Sequence, residues 1–180
     1  KDPLRLGTQD ADIIIFAVKP QVIRDVVPDY RRFAPSATFV SIAAGVGVAT
    51  FEEILGRDAA VIRCMPNTPA AVGRGITVAV ANGRVAAAQI DLCTRLLEAV
   101  GEVAWIDDEA DMDAVTGVSG SGPAYVFLMI ESLAEAGVAA GLDPALAARL
   151  ARATVTGAGE LAHRSKDLSL IHISEPTRPY

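Results

Sequence analysis

The sequence predicts an α/β chain, with an open, doubly wound sheet over residues 1–106 and helices alone over residues 107–167. Three observations carry this. Apolar runs of strand length alternate with helix-period segments as far as Ile106. No strand-type run returns after that point. The stretch Pro123–Ala140 is apolar nearly all round, with Glu131, Ser132 and Glu135 as a narrow polar strip, the pattern of a helix buried on most sides.

Asp12–Val18 (DIIIFAV) is an almost continuous apolar run, which suits a strand covered on both faces. Pro20 then opens a helix, where its missing N–H loses no bond. Val22, Val26, Tyr30 and Phe33 recur at helical spacing, and Pro28 kinks or restarts the helix. A second strand is Thr38–Ala43, ended by Gly45 and Gly47. Thr50 and Glu53 have the spacing of a capping box for a short helix to Leu55. Ala60–Met65 and Ile76–Ala81 are two more short strands. Leu92, Leu96 and Val100 mark the apolar face of a helix from about Val85, which Gly101 stops. Glu102–Ile106 is the last strand.

The helical region reads as Asp107–Val118, Pro123–Ala140 and Pro144–Ala162. Ser119-Gly120-Ser121-Gly122 breaks the chain before Pro123, with Ser121 as helix cap. Asp143-Pro144 pairs an N-cap with a first-turn proline, and Gly141 ends the preceding helix. So short a chain cannot cover Pro123–Ala140 well, so a partner subunit is expected. Leu168–Tyr180 (LSLIHISEPTRPY) does not continue the helix pattern and looks like a translated sequencing adapter, a non-native tail. With its abrupt start at Lys1, the chain reads as a gene fragment cut at both ends.

Composition narrows the function classes. Hydrophobic residues at 51% and charged ones at 21% fit a soluble globular chain with a sizeable core. The net charge of −6 and the lack of a dense Lys/Arg cluster argue against a nucleic-acid partner. No apolar stretch approaches the ~18–20 residues of a membrane span, and no signal peptide is visible. Cys64 and Cys93 form neither a disulfide framework nor a metal-binding spacing, so a reducing cytoplasm and no metal are expected.

Ligands of a doubly wound sheet bind at the carboxyl ends of its strands. Ala17-Val18-Lys19-Pro20 lies at such an end, and Lys19 is held extended by the proline after it. Ala43-Ala44-Gly45 ends the next strand with residues small enough to admit a flat ring or a ribose. In Met65-Pro66-Asn67-Thr68-Pro69 two prolines fix a short loop. Asn67 and Thr68 either satisfy the loop's own backbone or face a ligand. The glycines beside Ser119 and Ser121 permit close approach by a ligand, and serve equally for tight helix packing. Glu109 and Asp113 lie one helical turn apart and share a face. His163, near a helix end, suits terminal carbonyls. No His/Asp/Ser or Cys/His constellation stands out, so no catalytic residue is assigned.

Three segments resemble one family. Ala17-Val18-Lys19-Pro20-Gln21, Arg63–Pro69 (RCMPNTP) and Val115–Phe127 (VTGVSGSGPAYVF) have the order and about the spacing of the pyrroline-5-carboxylate reductases, and the resemblance runs from about Asp10 to about Lys166. It implies a partial Rossmann-like NAD(P)-binding domain followed by a partial helical dimerisation domain. It implies NADPH- or NADH-dependent reduction of 1-pyrroline-5-carboxylate to L-proline, the last step of proline biosynthesis. By resemblance Ala17, Val18, Lys19, Pro20, Ala43, Ala44 and Gly45 line the cofactor, and Glu109, Asn67 and Ser121 face the substrate. A homodimer or higher homo-oligomer is implied as well. Such a reaction needs no acid–base dyad, because the cofactor brings the hydride and the protein supplies position and electrostatics.

Two family segments are not found. A Gly-x-Gly-x-x-Gly turn is expected before Lys1, and a Ser-Pro-Gly-Gly-Thr-Thr segment after the tail begins. Position 4, commonly asparagine in the family, is Leu4. On this reading the 180-residue chain is incomplete and inactive. One alternative is another imine reductase or hydroxyacid dehydrogenase of similar plan. Those relatives typically carry a catalytic Lys or Asp in the long helix, where this chain has Glu131 and Glu135. The other is a non-catalytic helical dimerisation module.

Overall fold

The computed structural model describes residues 11–165. Leu4 and the tail Leu168–Tyr180 lie outside them. Five strands form one sheet in chain order: β1 (Ile13–Phe16), β2 (Thr38–Ser41), β3 (Ala60–Met65), β4 (Gly75–Ala81) and β5 (Gly101–Trp105). The pairings β1–β2, β2–β3 and β4–β5 are parallel, and β3–β4 is antiparallel. The reversal follows from the connection. Residues 66–74 contain a single 3₁₀ turn, Thr68–Val72, whereas a parallel return needs a crossover of about a dozen residues.

Strand alternation sends Phe16, Phe39 and Val61 to one face of the sheet and Val40, Ile62 and Cys64 to the other. On the first face lie α1 (Ile23–Val26), the 3₁₀ segment Val27–Phe33 and α2 (Val48–Leu55). Phe16 stacks on Phe39 and Phe51 at 6.1 and 5.8 Å, and Tyr30 meets it edge-on at 5.4 Å. Farther along that face α4 (Met112–Val115) buries Met112 against Val78 and Val80. The opposite face is covered by α3 (Ala87–Leu97), which packs Cys93 over Cys64 and Ala79. Helices on both faces and a mainly parallel sheet are the fold class the sequence predicts.

Local expectations fail in instructive places. The short turn Pro20–Val22 is 3₁₀, which advances about 120° per residue instead of about 100°. The buried face therefore begins at Ile23 and Val27, and Val22 stays exposed. Pro28 does restart the helix, inside the 3₁₀ segment Val27–Phe33. Helix α2 starts at Val48, ahead of Thr50, so the Thr50/Glu53 capping box does not form; its N-cap is Gly47, which has no side chain. In α3 the buried residue is Cys93; Leu96 is exposed, and so is Val100 in the 3₁₀ turn Glu98–Val100 that follows. The sheet beneath is lined by the small residues Cys64 and Ala79 and receives the helix at a small residue.

The chain does not break at Ser119–Gly122. Thr116–Gly120 is a π turn that leads into α5 (Gly122–Ala139). Ser121 is itself helical, with φ −86° and ψ −21°, and its N–H donates to the Thr116 carbonyl at 2.8 Å. An N-cap needs an extended backbone, so Ser121 does not cap α5. Asp143 does cap α6 (Pro144–Arg164), accepting the Ala145 and Leu146 N–H groups at 3.0 Å each. Gly141, at φ 97°, closes the end of α5, with the Leu142 N–H donating to the Gly137 carbonyl at 3.0 Å.

No strand follows Trp105 among the described residues. They fall into two compact units, one ending at Pro123 and the other starting at Ala124. No residue of α5 is buried, and Tyr125, Phe127 and Leu128 are each about 60% exposed. No helix among the described residues is long and apolar enough to cross a membrane.

Candidate functional site

Because β1 and β2 are parallel neighbours, their carboxyl ends share one edge. Phe16 is paired with Ser41, and the Ile42 N–H donates to the Phe16 carbonyl at 3.2 Å. Ala17–Pro20 and Ala43–Gly45 leave the sheet side by side from that register. Lys19 is extended, with φ −61° and ψ 143°. Ala43 is buried and its N–H donates to the Ser41 hydroxyl at 3.2 Å, whereas Ala44 and Gly45 are exposed. A cleft of about 240 Å³ opens here, with Pro20 on one wall and Gly45 on the other. Gly45 has φ 73° and open space where a Cβ would stand, so its main chain is accessible.

The end of the turn beyond the cleft is held electrostatically. Arg63 stands in β3, 8% exposed, between Ser41 on β2 and Val80 on β4. A buried guanidinium needs a partner, and Glu109 supplies it at 2.8 Å. The same Glu109 oxygen accepts the N–H of Val48, the first residue of α2, at 2.9 Å. A Cβ on Gly47 would stand 3.3 Å from that oxygen. The strand–glycine–helix sequence at Gly45–Val48 has the form of a phosphate site, but a protein carboxylate fills its anion position. Asp113, expected on one face with Glu109, is instead exposed, because a 3₁₀ turn (Glu109–Asp111) precedes α4.

Beyond β3 the two most distinctive motifs meet. The Asn67 amide oxygen accepts the Ile76 N–H at 3.0 Å, and its NH₂ donates to the Ser119 carbonyl at 3.3 Å. A Cβ on Gly120 would overlap the Met65 methyl, so this glycine is what lets the π turn lie against the loop. The Ser119 hydroxyl is buried with no partner among the described residues. Asn67 thus braces the backbone of both motifs, one of the two roles open to it from sequence. Ser121 lies two residues past Ser119 in the same turn, half-buried.

The structure therefore brings Gly45, Glu109 and Asn67 onto one stretch of sheet edge and adjoining face. Sequence reasoning missed the roles of Arg63 and Ser119. The signal for Arg63 was present: a single charged side chain in the otherwise apolar run Ala60–Met65. Cys64 and Cys93 are free and buried side by side. The hydrogen bond to Cys93, together with burial, pushes Cys64 well above the ordinary thiol range, and the same bond pulls Cys93 down against its burial. No cluster of metal-binding side chains occurs among the described residues.

Residues 109–174 match the profile of the pyrroline-5-carboxylate reductase dimerisation domain. The match runs on into the segment read as foreign, as far as residue 174. The pyrroline-5-carboxylate reductase of Pseudomonas aeruginosa is 45% identical over 158 residues, 87% of this chain and 58% of that protein. The chain is similar to the pyrroline-5-carboxylate reductases over most of its length. It spans about 58% of the length of that curated relative. The Coxiella burnetii pyrroline-5-carboxylate reductase superposes with a TM-score of 0.85 at 35% identity, covering 96% of this chain and 65% of that one. The Plasmodium falciparum pyrroline carboxylate reductase, solved with NADP bound, gives 0.82 at 32% identity over the same shares.

Proposed function

We propose that a protein carrying this chain reduces 1-pyrroline-5-carboxylate to L-proline with NADPH or NADH, closing proline biosynthesis. The observation that carries the proposal is the 45% identity to the Pseudomonas reductase over 158 residues. The adjoining carboxyl ends of β1 and β2 support a dinucleotide site. The residues there fit its nicotinamide and ribose end. Gly45 lines a cleft and leaves room where a side chain would intrude, and Ala44 beside it is exposed. Ala17, Val18, Lys19, Pro20, Ala43, Ala44 and Gly45 would hold that end, and Asn67 and Ser121 would stand on the substrate side. The cofactor, when bound, supplies the hydride. The chain's residues position the reactants, a contribution of order 7–11 kcal/mol to lowering such barriers.

A homodimer fits the match to a dimerisation domain and the exposed apolar side chains of α5. A reducing, cytoplasmic setting fits two free cysteines. The test is NADPH oxidation with 1-pyrroline-5-carboxylate, using a polypeptide of the relatives' full length that carries this chain. Turnover is expected there and little in the 180-residue chain. Absence of turnover in the longer protein would overturn the proposal.

A further inference from the structure

The turn that follows β2 is pinned at both ends. At one end Ala43 is buried and its N–H is bound by Ser41. At the other, the first N–H of α2 has no local cap, because Gly47 carries no side chain. The first four N–H groups of any helix lack intrahelical partners. Here Glu109, 61 residues along the chain, supplies the acceptor. Its carboxylate is in turn anchored by Arg63, which is buried in the middle of the sheet. The approach is close enough that Gly47 has to be glycine or the carboxylate has to move. Between the two pins, Ala44 and Gly45 are exposed, and Gly45 lines the cleft.

We infer that Glu109 is a positioning residue that clamps the Ala43–Gly47 turn, and through it the nicotinamide end of the cofactor site, and is not a ligand of the substrate. The inference rests on the function proposed above. One Glu109 oxygen already serves a guanidinium and a backbone N–H, and Arg63 balances its charge. With that oxygen engaged twice and its charge balanced, the carboxylate is a weak partner for the protonated imine nitrogen and repels the carboxylate of the substrate. A freed turn, by contrast, would have to be ordered again each time the cofactor bound, which weakens binding.

The test uses a polypeptide of the relatives' full length that carries this chain, with Glu109→Ala, Glu109→Gln and Gly47→Ala. NADPH affinity is read by fluorescence titration, Val48 by amide hydrogen exchange, and the KM of cofactor and imine separately. Glu109→Ala is expected to weaken NADPH binding about tenfold or more, to speed Val48 exchange, and to leave the imine KM within about twofold. Glu109→Gln keeps an oxygen for the Val48 N–H and should recover part of the affinity. It also serves if the alanine variant does not fold. Gly47→Ala should fall between wild type and Glu109→Ala. An imine KM raised about tenfold with unchanged NADPH affinity would overturn the inference. So would unchanged NADPH affinity in all three variants. A wild-type protein that binds NADPH without reducing the imine would overturn the proposed reaction and leave this inference standing.

Discussion

Removing the two partners of the Arg63–Glu109 pair should have unequal consequences. Arg63 is 8% exposed, whereas a third of the Glu109 side chain reaches solvent. Glu109→Ala leaves a buried guanidinium with no hydrogen-bond partner among the described residues, a cost of about 3–5 kcal/mol for a buried pair. It also strips the Val48 N–H of its acceptor, worth about 1 kcal/mol. Arg63→Met puts an apolar stem of similar length into an apolar strand. Glu109 then turns partly to water and keeps Val48, so the cost should be about 1–2 kcal/mol. The double variant loses the pair and the cap together and should cost little more than the cap, about 1–2 kcal/mol. The assay is urea unfolding followed by the fluorescence of Trp105, the single tryptophan, which lies in β5 and donates to Thr94 at 3.0 Å. With a urea slope of about 2 kcal/mol/M, a total loss of about 4–6 kcal/mol in Glu109→Ala should lower the midpoint by about 2–3 M. An Arg63→Met variant as unstable as Glu109→Ala, or a double variant whose losses simply add, would refute the reasoning.

Phe51 is fully buried and stacks on Phe16 at 5.8 Å, so Phe51→Ala should cost about 3–5 kcal/mol in the same urea assay, and a loss below about 1 kcal/mol would show that α2 is not anchored there. Asp143→Ala removes two N-cap bonds and should cost α6 about 1 kcal/mol, visible as faster amide exchange at Ala145 and Leu146. Phe127→Glu, at a side chain 61% exposed, should shift sedimentation of the full-length protein from dimer toward monomer. Unchanged sedimentation would place the interface elsewhere. Cys64 and Cys93 are 1% and 0% exposed and should react with a thiol reagent in urea but not in the native protein.

The elements legible in the sequence are those whose causes are local. Apolar runs bounded by turn residues located the strand cores. β2 and β3 are buried on both faces as their runs imply, whereas β1, expected to be covered on both faces, lies at the edge of the described sheet and leaves Ile15 46% exposed. Asp143-Pro144 and Gly141 marked helix ends correctly, because each supplies its own bond or backbone angle. The adjoining carboxyl ends of β1 and β2 followed from two strands in sequence with a helix between them. Long-range causes were not legible. The start of α2 was misplaced because its cap arrives from Glu109, 61 residues away, and no pattern of neighbours encodes that. Ser121 looked like a cap, yet the glycines beside it let the backbone continue through a π turn against Met65. Asn67 could have faced a ligand or its own loop until the fold put the Ile76 N–H and the Ser119 carbonyl beside it. Residue type and spacing set what a side chain is able to bond. Which partner it meets depends on how the chain closes on itself, and a buried polar group takes whichever partner the packing puts within reach.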